Sequence, residues 1–389
     1  MLLENHTYPE DVRVLNEART LVGAGHKVSV IAPRAAGQRR RELLDGVSVW
    51  RYRLPSSAGG AIGFLVEYLV AHAQLFPRAL VELFRGATVV HLHNPPDTLF
   101  PVGLIARMLG RAAVFDHHDL APELYLDKFG PSPLVKALRL AQRASFRSAS
   151  HVIVTNESQR QAALSAGVPP DRVSIVRNGP RVETVDEHRP ARGGALRDPR
   201  LVFVGELAPQ DGVSALPALL QALRERPDTP QATLVVVGDG SLRQELEEEF
   251  AARGLQECVT MTGRVPHQEV PRLLAEADIC IDVAPCSELN HRSTMIMIAE
   301  YLAAGRPVVT YDLLETRHTA GDAAVYAACG DGRQFAEAVA ELARDPRRRQ
   351  SLARGGRARV PDLAWERSEE RLLAAYAALG RSMRPAADS

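Results

Sequence analysis

Short runs rich in valine, isoleucine and leucine recur along this chain, and each leads through a polar or glycine turn into a helical pattern. They read KVSVIA, TVVHLHN, AAVFDHHD and HVIVT in the first half, and LVFVGE, TLVVVGDG, CVTMTG, ICIDVAP and VVTY in the second. Strands that alternate with helices in this way predict an α/β architecture with parallel sheets. A charged stretch rich in proline and glycine interrupts the pattern, which then restarts. With 389 residues the chain is long for one such domain and comfortable for two. We therefore expect a first domain over 1–182, a linker over 183–199, a second domain over 200–364, and a C-terminal helix with its tail over 365–389. The opening run MLLE is short for a strand.

Charge excludes some functions. Lys+Arg and Asp+Glu both number 47, so no global field draws the chain to nucleic acid. The cysteines Cys258, Cys280, Cys286 and Cys329 show no C-x-x-C spacing, which predicts free buried thiols in a reducing compartment and no metal site. With no signal peptide and no apolar run of membrane-spanning length, a cytoplasmic location is expected. The apolar region from Ser56 to Phe84 reads as a packed helix broken at Pro77. The competing reading is a helix that meets an acceptor or a membrane surface, with Arg34 to Arg41 close by in sequence.

The stretch from Cys286 to Asp312 carries the strongest chemical signal. Met295, Ile298, Ala299 and Leu302 fall at helical spacing, and Ile296, Met297 and Ala303 fill much of the other side, so the helix is expected to be buried. Ser293 or Thr294 is expected to cap its start, and Gly305 with Pro307 to end it. Inside this helix stands one carboxylate, Glu300, with only Met297, Ile296, Ala303 and Ala304 at three and four residues. A buried carboxylate needs a partner, and either a pair of ligand hydroxyls or an arginine from elsewhere would serve. A helix N-terminus suits an anion, so phosphates at its start and a diol two turns along fit a nucleotide.

Strand ends supply further candidates. In open α/β sheets ligands bind at the carboxyl ends of strands. That edge collects His93, Asn94, Asp97, Asp116, His117, His118 and Asp119, and for either of the adjacent histidines His117 and His118 a structural hydrogen bond is the competing reading.

The central stretch is similar to the donor-site segment of the family 4 retaining glycosyltransferases. That resemblance implies the GT-B fold, two Rossmann-like domains facing a cleft, with a C-terminal helix crossing back to the first. Those enzymes carry E-x7-E; Glu300 matches the second acid, on the donor ribose, while Arg292 stands where the first would be. N-x-x-S-T-M…E-Y resembles one branch, in which Asp usually follows the Asn; here that residue is His291. The segment Asn5 to Ala18 resembles the first loop and helix of the same branch, which implies that Arg13 could reach a phosphate. An exposed Arg13–Glu17 pair competes with that role. Relatives carry more strand ahead of MLLE, so this edge is expected to be trimmed or the start misplaced. The family's His-Asp pair lands on His118 and Asp119, with the histidine near the donor sugar, and Asn178-Gly179-Pro180 resembles the domain-junction signature. Gly205 resembles the glycine that admits the diphosphate, Gly238 lies in a second glycine turn, and Arg264 and Val265 lie in the loop whose backbone meets the nucleobase. Where many relatives follow the first glycine with Arg and Lys, this chain has Glu206 and Asp211; relatives with Q-D-G share the Asp. Donor contacts are thus expected at Arg13, Asn178, Gly205, Gly238, Arg264, Val265, Arg292, Ser293, Thr294 and Glu300, and catalytic roles at His118 and Asp119.

The function implied is a retaining, metal-independent transfer of sugar from a nucleotide-diphosphate sugar to a polysaccharide, lipid-linked or secondary-metabolite acceptor. No cofactor is expected, and the partners are that donor, an acceptor, and a peripheral membrane contact at the inner face. A catalytically reduced nucleotide-sugar-binding partner protein and a nucleotide-sugar 2-epimerase are the alternatives.

Overall fold

A computed structural model of the chain describes residues 1–4, 6–54, 60–181 and 192–382. The chain divides into two compact units, Met1–Arg177 with Ser368–Ser389, and Asn178–Arg367.

In unit 1 the strands β1 (Ser29–Pro33), β2 (Arg41–Leu44) and β3 (Val47–Tyr52) lie in the order β1-β3-β2. The strands β4 (Val89–His93), β5 (Ala112–His117), β6 (His151–Val154) and β7 (Val173–Ile175) follow one another in sequence order, all parallel. The short run MLLE joins the two groups. Leu2 bridges in parallel to Ile31 of β1 and to Leu92 of β4, with its N–H donating to His91 O at 2.9 Å. Sequence reading missed β2, which pairs antiparallel with β3 across Asp45 and Gly46 at φ 48° and 80°. An Asp-Gly pair with positive φ at both positions is a hairpin turn, and it was the available signal.

Helix α1 (Val12–Gly23) starts at Asp11, whose side chain accepts the Val14 N–H at 3.0 Å. Helix α2 (Gly60–Phe84) continues through Pro77, contrary to the expected break. Ala71, Leu75, Ala79 and Leu83 recur every four residues and are buried. Four buried side chains, the leucines at about 1.5–3 kcal/mol each, offset the roughly 3 kcal/mol of an internal proline. Helices α3 (Phe100–Met108), α4 (Ala121–Phe129), α5 (Pro133–Ser148) and α6 (Glu157–Ser165) complete the unit, and residues 56–59 of the apolar region lie outside the described residues. No helix among the described residues is long and apolar enough to cross a membrane.

Unit 2 holds a sheet of β8 (Arg200–Val204), β9 (Thr233–Val237), β10 (Val259–Gly263), β11 (Ile279–Asp282), β12 (Val308–Tyr311) and β13 (Ala324–Ala327), in the order β10-β9-β8-β11-β12-β13. All its strand pairs are parallel. The period of two along each strand splits the apolar residues between two cores. Leu201, Phe203, Leu234, Val236, Ile279 and Ile281 enter one, and Val202, Val235, Val237, Cys280 and Val308 the other. The covering helices are α7 (Leu216–Arg224), α8 (Arg243–Ala252), α9 (Val270–Ala275), α10 (Glu288–Arg292), α11 (Ile296–Ala303), α12 (Leu314–Ala320), α13 (Gly332–Arg344) and α14 (Pro346–Leu363).

The final helix, α15 (Trp365–Ser382), begins in unit 2, where the Trp365 N–H donates to Pro180 O at 3.0 Å. From Ser368 onward it belongs to unit 1, with the Tyr376 hydroxyl 2.9 Å from His91 Nδ1. The expected return of the C-terminal helix to the first domain is therefore present. The boundaries differ from expectation, falling after Arg177 and Arg367. Residues 182–191 of the linker region lie outside the described residues. Residues 192–199 are tied to unit 2: Arg192 grips Asp278 through two bonds of 2.9 and 2.6 Å, and Arg349 donates to the carbonyls of Arg192 and Gly194 at 3.0 and 2.6 Å.

Candidate functional site

In unit 2 the chain order runs outward from β8 in both directions, to β9 and β10 on one side and to β11 and β12 on the other. The carboxyl ends of β8 and β11 therefore flank a topological switch point, where loops diverge and leave a crevice. Gly205 follows β8, and its N–H donates to Val237 O at 3.0 Å. Gly238 sits at φ +142°, and a Cβ there would lie 1.8 Å from Gly205 O. Only glycine allows this close approach of two strand-end backbones.

The Q-D-G and N-x-x-S-T-M motifs interlock here. Asn290 is buried, and its Nδ2 donates to Gln210 O at 2.8 Å and Pro285 O at 2.9 Å. Gly212, at φ +68°, packs so closely on the turn after β11 that a Cβ would meet Val283 O at 2.1 Å. Next to Glu300, the buried Tyr301 hydroxyl accepts the Val204 N–H at 2.8 Å, so the E-Y pair pins α11 to the end of β8.

The start of α11 differs from the expected cap. Ser293 ends α10 and donates its hydroxyl to Leu289 O at 2.8 Å, while Met295 occupies the N-cap position without a capping side chain. Thr294 is half-buried in the intervening turn. The helix is also not apolar and buried all round: Ile296 is 43 % exposed. Ile296 and Glu300, at i and i+4, form an open face. The Glu300 side chain is 17 % exposed, and His267 Nε2 is its nearest basic atom, 3.8 Å away. Burial raises the Glu300 carboxyl above its usual range, with partial relief from His267.

Around this face, Arg264 is exposed and has no hydrogen bond or ion pair among the described residues. Val265 packs partly on the core below. Arg292 pairs with the exposed Glu288 at 2.9 Å, and His291 Nδ1 accepts the Leu314 N–H at 3.3 Å, so both residues where acids stand in the relatives make local contacts. Burial, with Glu206 and Asp282 nearby, pushes Asp211 up to about 7. The expectation of four free thiols is overturned: Cys286 and Cys329 form a disulfide with Cα atoms 5.6 Å apart, leaving Cys258 and Cys280 free. The fold brings the turn after β11 next to the end of β13, a proximity that spacing in sequence does not show.

In unit 1 a buried ionic cluster lies at the carboxyl edge of β4 and β5. Arg13 donates to both Asp116 oxygens at 2.7 Å and to Val176 O at 2.9 Å, and lies 3.2 Å from Glu17. Arg13 is 4 % exposed, so it is neither a free phosphate ligand nor half of an exposed pair. Burial by itself would raise Asp116, but Arg13, with hydrogen bonds from His118 and His93, holds it well below the usual carboxylate range. Glu17 shifts the other way, through burial and the Asp116 charge. Ligand atoms of Glu17, His91, His93 and Asp116 lie within 4.8 Å of one another, but the Arg13 guanidinium already supplies the positive charge among them.

His118 leads out of this cluster. Its Nδ1 lies 3.4 Å from Asp116 Oδ2, and its N–H donates to Asn94 Oδ1 at 2.8 Å. Burial opposes its charge, yet Asp116 outweighs that and raises its pKa. The acid behind His118 is thus Asp116, while Asp119 is exposed and contributes backbone bonds to Asn94. His117 is buried against Gln142 at 2.9 Å, and burial pushes it down to about 3. Asn178, half-buried, is the first residue of unit 2.

Two family descriptions match the chain: "Glycosyl transferase 4-like domain" over residues 11–179 and "Glycosyl transferases group 1" over residues 198–345. The chain belongs to the family 4 glycosyltransferases. This glycosyltransferase is 26 % identical to an alpha-D-kanosaminyltransferase of Streptomyces kanamyceticus, over 88 % of the chain and 92 % of that protein. It is 28 % identical to a 2-deoxystreptamine N-acetyl-D-glucosaminyltransferase of Streptomyces fradiae, over 90 % and 86 %. Among solved structures it is similar to Anabaena HepE in complex with UDP and glucose, with TM-score 0.70, 17 % identity and coverage of 97 % and 98 %. The lipopolysaccharide glycosyltransferase WaaG is similar at TM-score 0.71 and 18 % identity, over 96 % and 97 %. At these identities the likeness of structure is one of fold, and the fold is GT-B.

In this glycosyltransferase the crevice of unit 2 offers an uncapped helix start, glycine-lined backbone and one under-paired carboxylate. Those are the parts that an anionic ligand with a diol needs. Sequence reading missed Asn290, Tyr301 and the pairing of Asp116 with His118. The E-Y and Q-D-G spellings were visible, but their bonding partners lie far off in sequence.

Proposed function

We propose that this glycosyltransferase moves a sugar, with retention and without a bound metal, from a nucleotide-diphosphate sugar to an acceptor of the secondary-metabolite class. Glu300 carries the reading: its carboxylate, 17 % exposed on an open helix face, has His267 at 3.8 Å as its nearest base. Two ribose hydroxyls donating to it would satisfy the charge. The HepE complexes with UDP and UDP-glucose support a nucleotide donor, and the Streptomyces fradiae relative, named for 2-deoxystreptamine, supports a small-molecule acceptor of that kind. In the step proposed, the bond from the anomeric carbon to the diphosphate breaks, the acceptor oxygen bonds to that carbon on the same face, and the acceptor proton leaves with the phosphate. N–H groups at the start of α11 and the guanidinium of Arg264 stabilise the charge on the leaving group. His118 orients the sugar.

Glu300→Gln tests the reading. UDP affinity is expected to fall at least about tenfold, since one charged hydrogen bond contributes about 1.5–3 kcal/mol. The ligand-free melting temperature is expected to hold or rise. A large loss of ligand-free stability with unchanged affinity would reassign Glu300 to a structural bridge. Nucleotide binding without transfer from any UDP-, GDP- or dTDP-sugar would return the chain to a donor-binding partner.

A further inference from the structure

Two buried acids in unit 1 have no work in the account above. Glu4 is 2 % exposed, and its Oε1 has no hydrogen-bond partner among the described residues. Asp97 is also 2 % exposed; its Oδ1 accepts from Asn94 Nδ2 at 3.1 Å, and its Oδ2 has no partner among the described residues. Both follow strand-edge segments, Glu4 after the Leu2 bridge and Asp97 after β4, while Asp119 and Glu123 follow β5. Asn94 gathers these loops, since its Nδ2 donates to Asp119 O at 2.7 Å and its Oδ1 accepts from His118 and Asp119. Helix α2 joins through His72, whose Nε2 lies 2.9 Å from Thr98 Oγ1. Glu123 Oε2 likewise has no partner among the described residues. The acids act on one another: Glu67 on Glu4, Glu123 and Asp119 on Asp97, and Glu4, Asp97, Glu67 and Asp119 on the Tyr68 hydroxyl.

An unpaired buried carboxylate is costly, and here two follow the adjoining segments of the Leu2 bridge and β4, at the ligand-binding edge of the sheet. No arginine or lysine among the described residues pairs with either. We infer that the acceptor carries amino groups and that Glu4 and Asp97 receive them. An ammonium group offers three donors and a positive charge, which a neutral hydroxyl lacks. The inference rests on the glycosyltransferase reading above, names the acceptor's chemistry, and makes Glu4 and Asp97 specificity residues.

Proton release gives an independent signature. Burial, with Glu67 adding to it, pushes Glu4 up to about 8. Burial pushes Asp97 up to about 7, opposed by the Asn94 bond and reinforced by Glu123 and Asp119. The other titrating groups facing them are Tyr68 and His72 on α2 and His118 after β5. With both carboxyls raised toward neutral pH, an arriving ammonium group is expected to displace a proton from them.

The probe is 2-deoxystreptamine, a cyclitol with two amino groups, set against its neutral di-N-acetyl derivative. Each is titrated by calorimetry in buffers of differing ionisation enthalpy, into free protein and into protein saturated with UDP. The diamine is expected to bind with release of about one proton, and the neutral derivative at least about tenfold more weakly. Glu4→Gln and Asp97→Asn should each weaken the diamine at least about tenfold while leaving UDP affinity and the melting temperature unharmed, because neither breaks an ion pair. Glu123→Gln, at a half-buried position, should give a smaller loss. Equal binding of the two cyclitols, no binding of the diamine, or unchanged diamine affinity in both variants would overturn the inference. Failure of UDP to bind would instead overturn the donor reading, and the titration into free protein would still judge this one.

Discussion

A carboxylate that loses its water must recover that energy from a neighbour, and the buried acids of this chain do so differently. Asp116 takes a bidentate guanidinium from Arg13. Asp116→Asn should therefore lower stability, read by denaturant unfolding, by less than the roughly 3–5 kcal/mol of a fully stranded charge, because Glu17 remains 3.2 Å from Arg13. If His118 meets the donor sugar, His118→Ala should lower turnover with nucleotide affinity nearly intact; equal turnover in both proteins would remove that role. Glu4 and Asp97 have no cation paired with them among the described residues, and their pKa values rise to about 8 and about 7. Between the ordinary carboxylate range and those values the folded state keeps protons that the unfolded chain has released. The unfolded state then binds fewer protons, so stability falls as pH rises. The ligand-free protein is expected to lose a few kcal/mol between about pH 5 and about pH 8, and Glu4→Gln with Asp97→Asn should flatten that slope. Unfolding curves of parent and double variant across that range would settle it.

At the scale of elements, the donor crevice depends on few bonds. Tyr301 holds the end of β8 through the Val204 N–H, and Asn290 holds the Q-D-G turn through Gln210 O. Tyr301→Phe should cost about 1–3 kcal/mol by leaving a buried N–H unsatisfied. It should also weaken UDP, since Glu300 rides on the same turn of helix; unchanged stability and unchanged affinity together would show that α11 is placed without this bond. Most elements were legible because each carries its own period: the runs TLVVVGDG and VVTY contain β9 and β12. Those misread were decided by competition. Pro77 signals a break, but the buried face of α2 outweighs it. Ser293 signals a cap, but its hydroxyl closes α10 instead.

For the whole molecule, the alternation of strand and helix, restarted once, was enough to establish two parallel α/β units, because periodicity along each segment decides which face is buried. The motif spellings were enough to name the family and to single out Glu300, since an acid within an apolar helix conflicts with its neighbours in any fold. Partnerships across the chain were not available from sequence. Arg13 meets Asp116 over 103 positions, Asn290 meets Gln210 over 80, and Cys286 meets Cys329 over 43. Local spacing carries no record of which strand ends become neighbours. That is set when sheets assemble, and so only the tertiary structure decided that Arg13 is buried, that Asp116 stands behind His118, and that Glu4 and Asp97 meet no cation among the described residues.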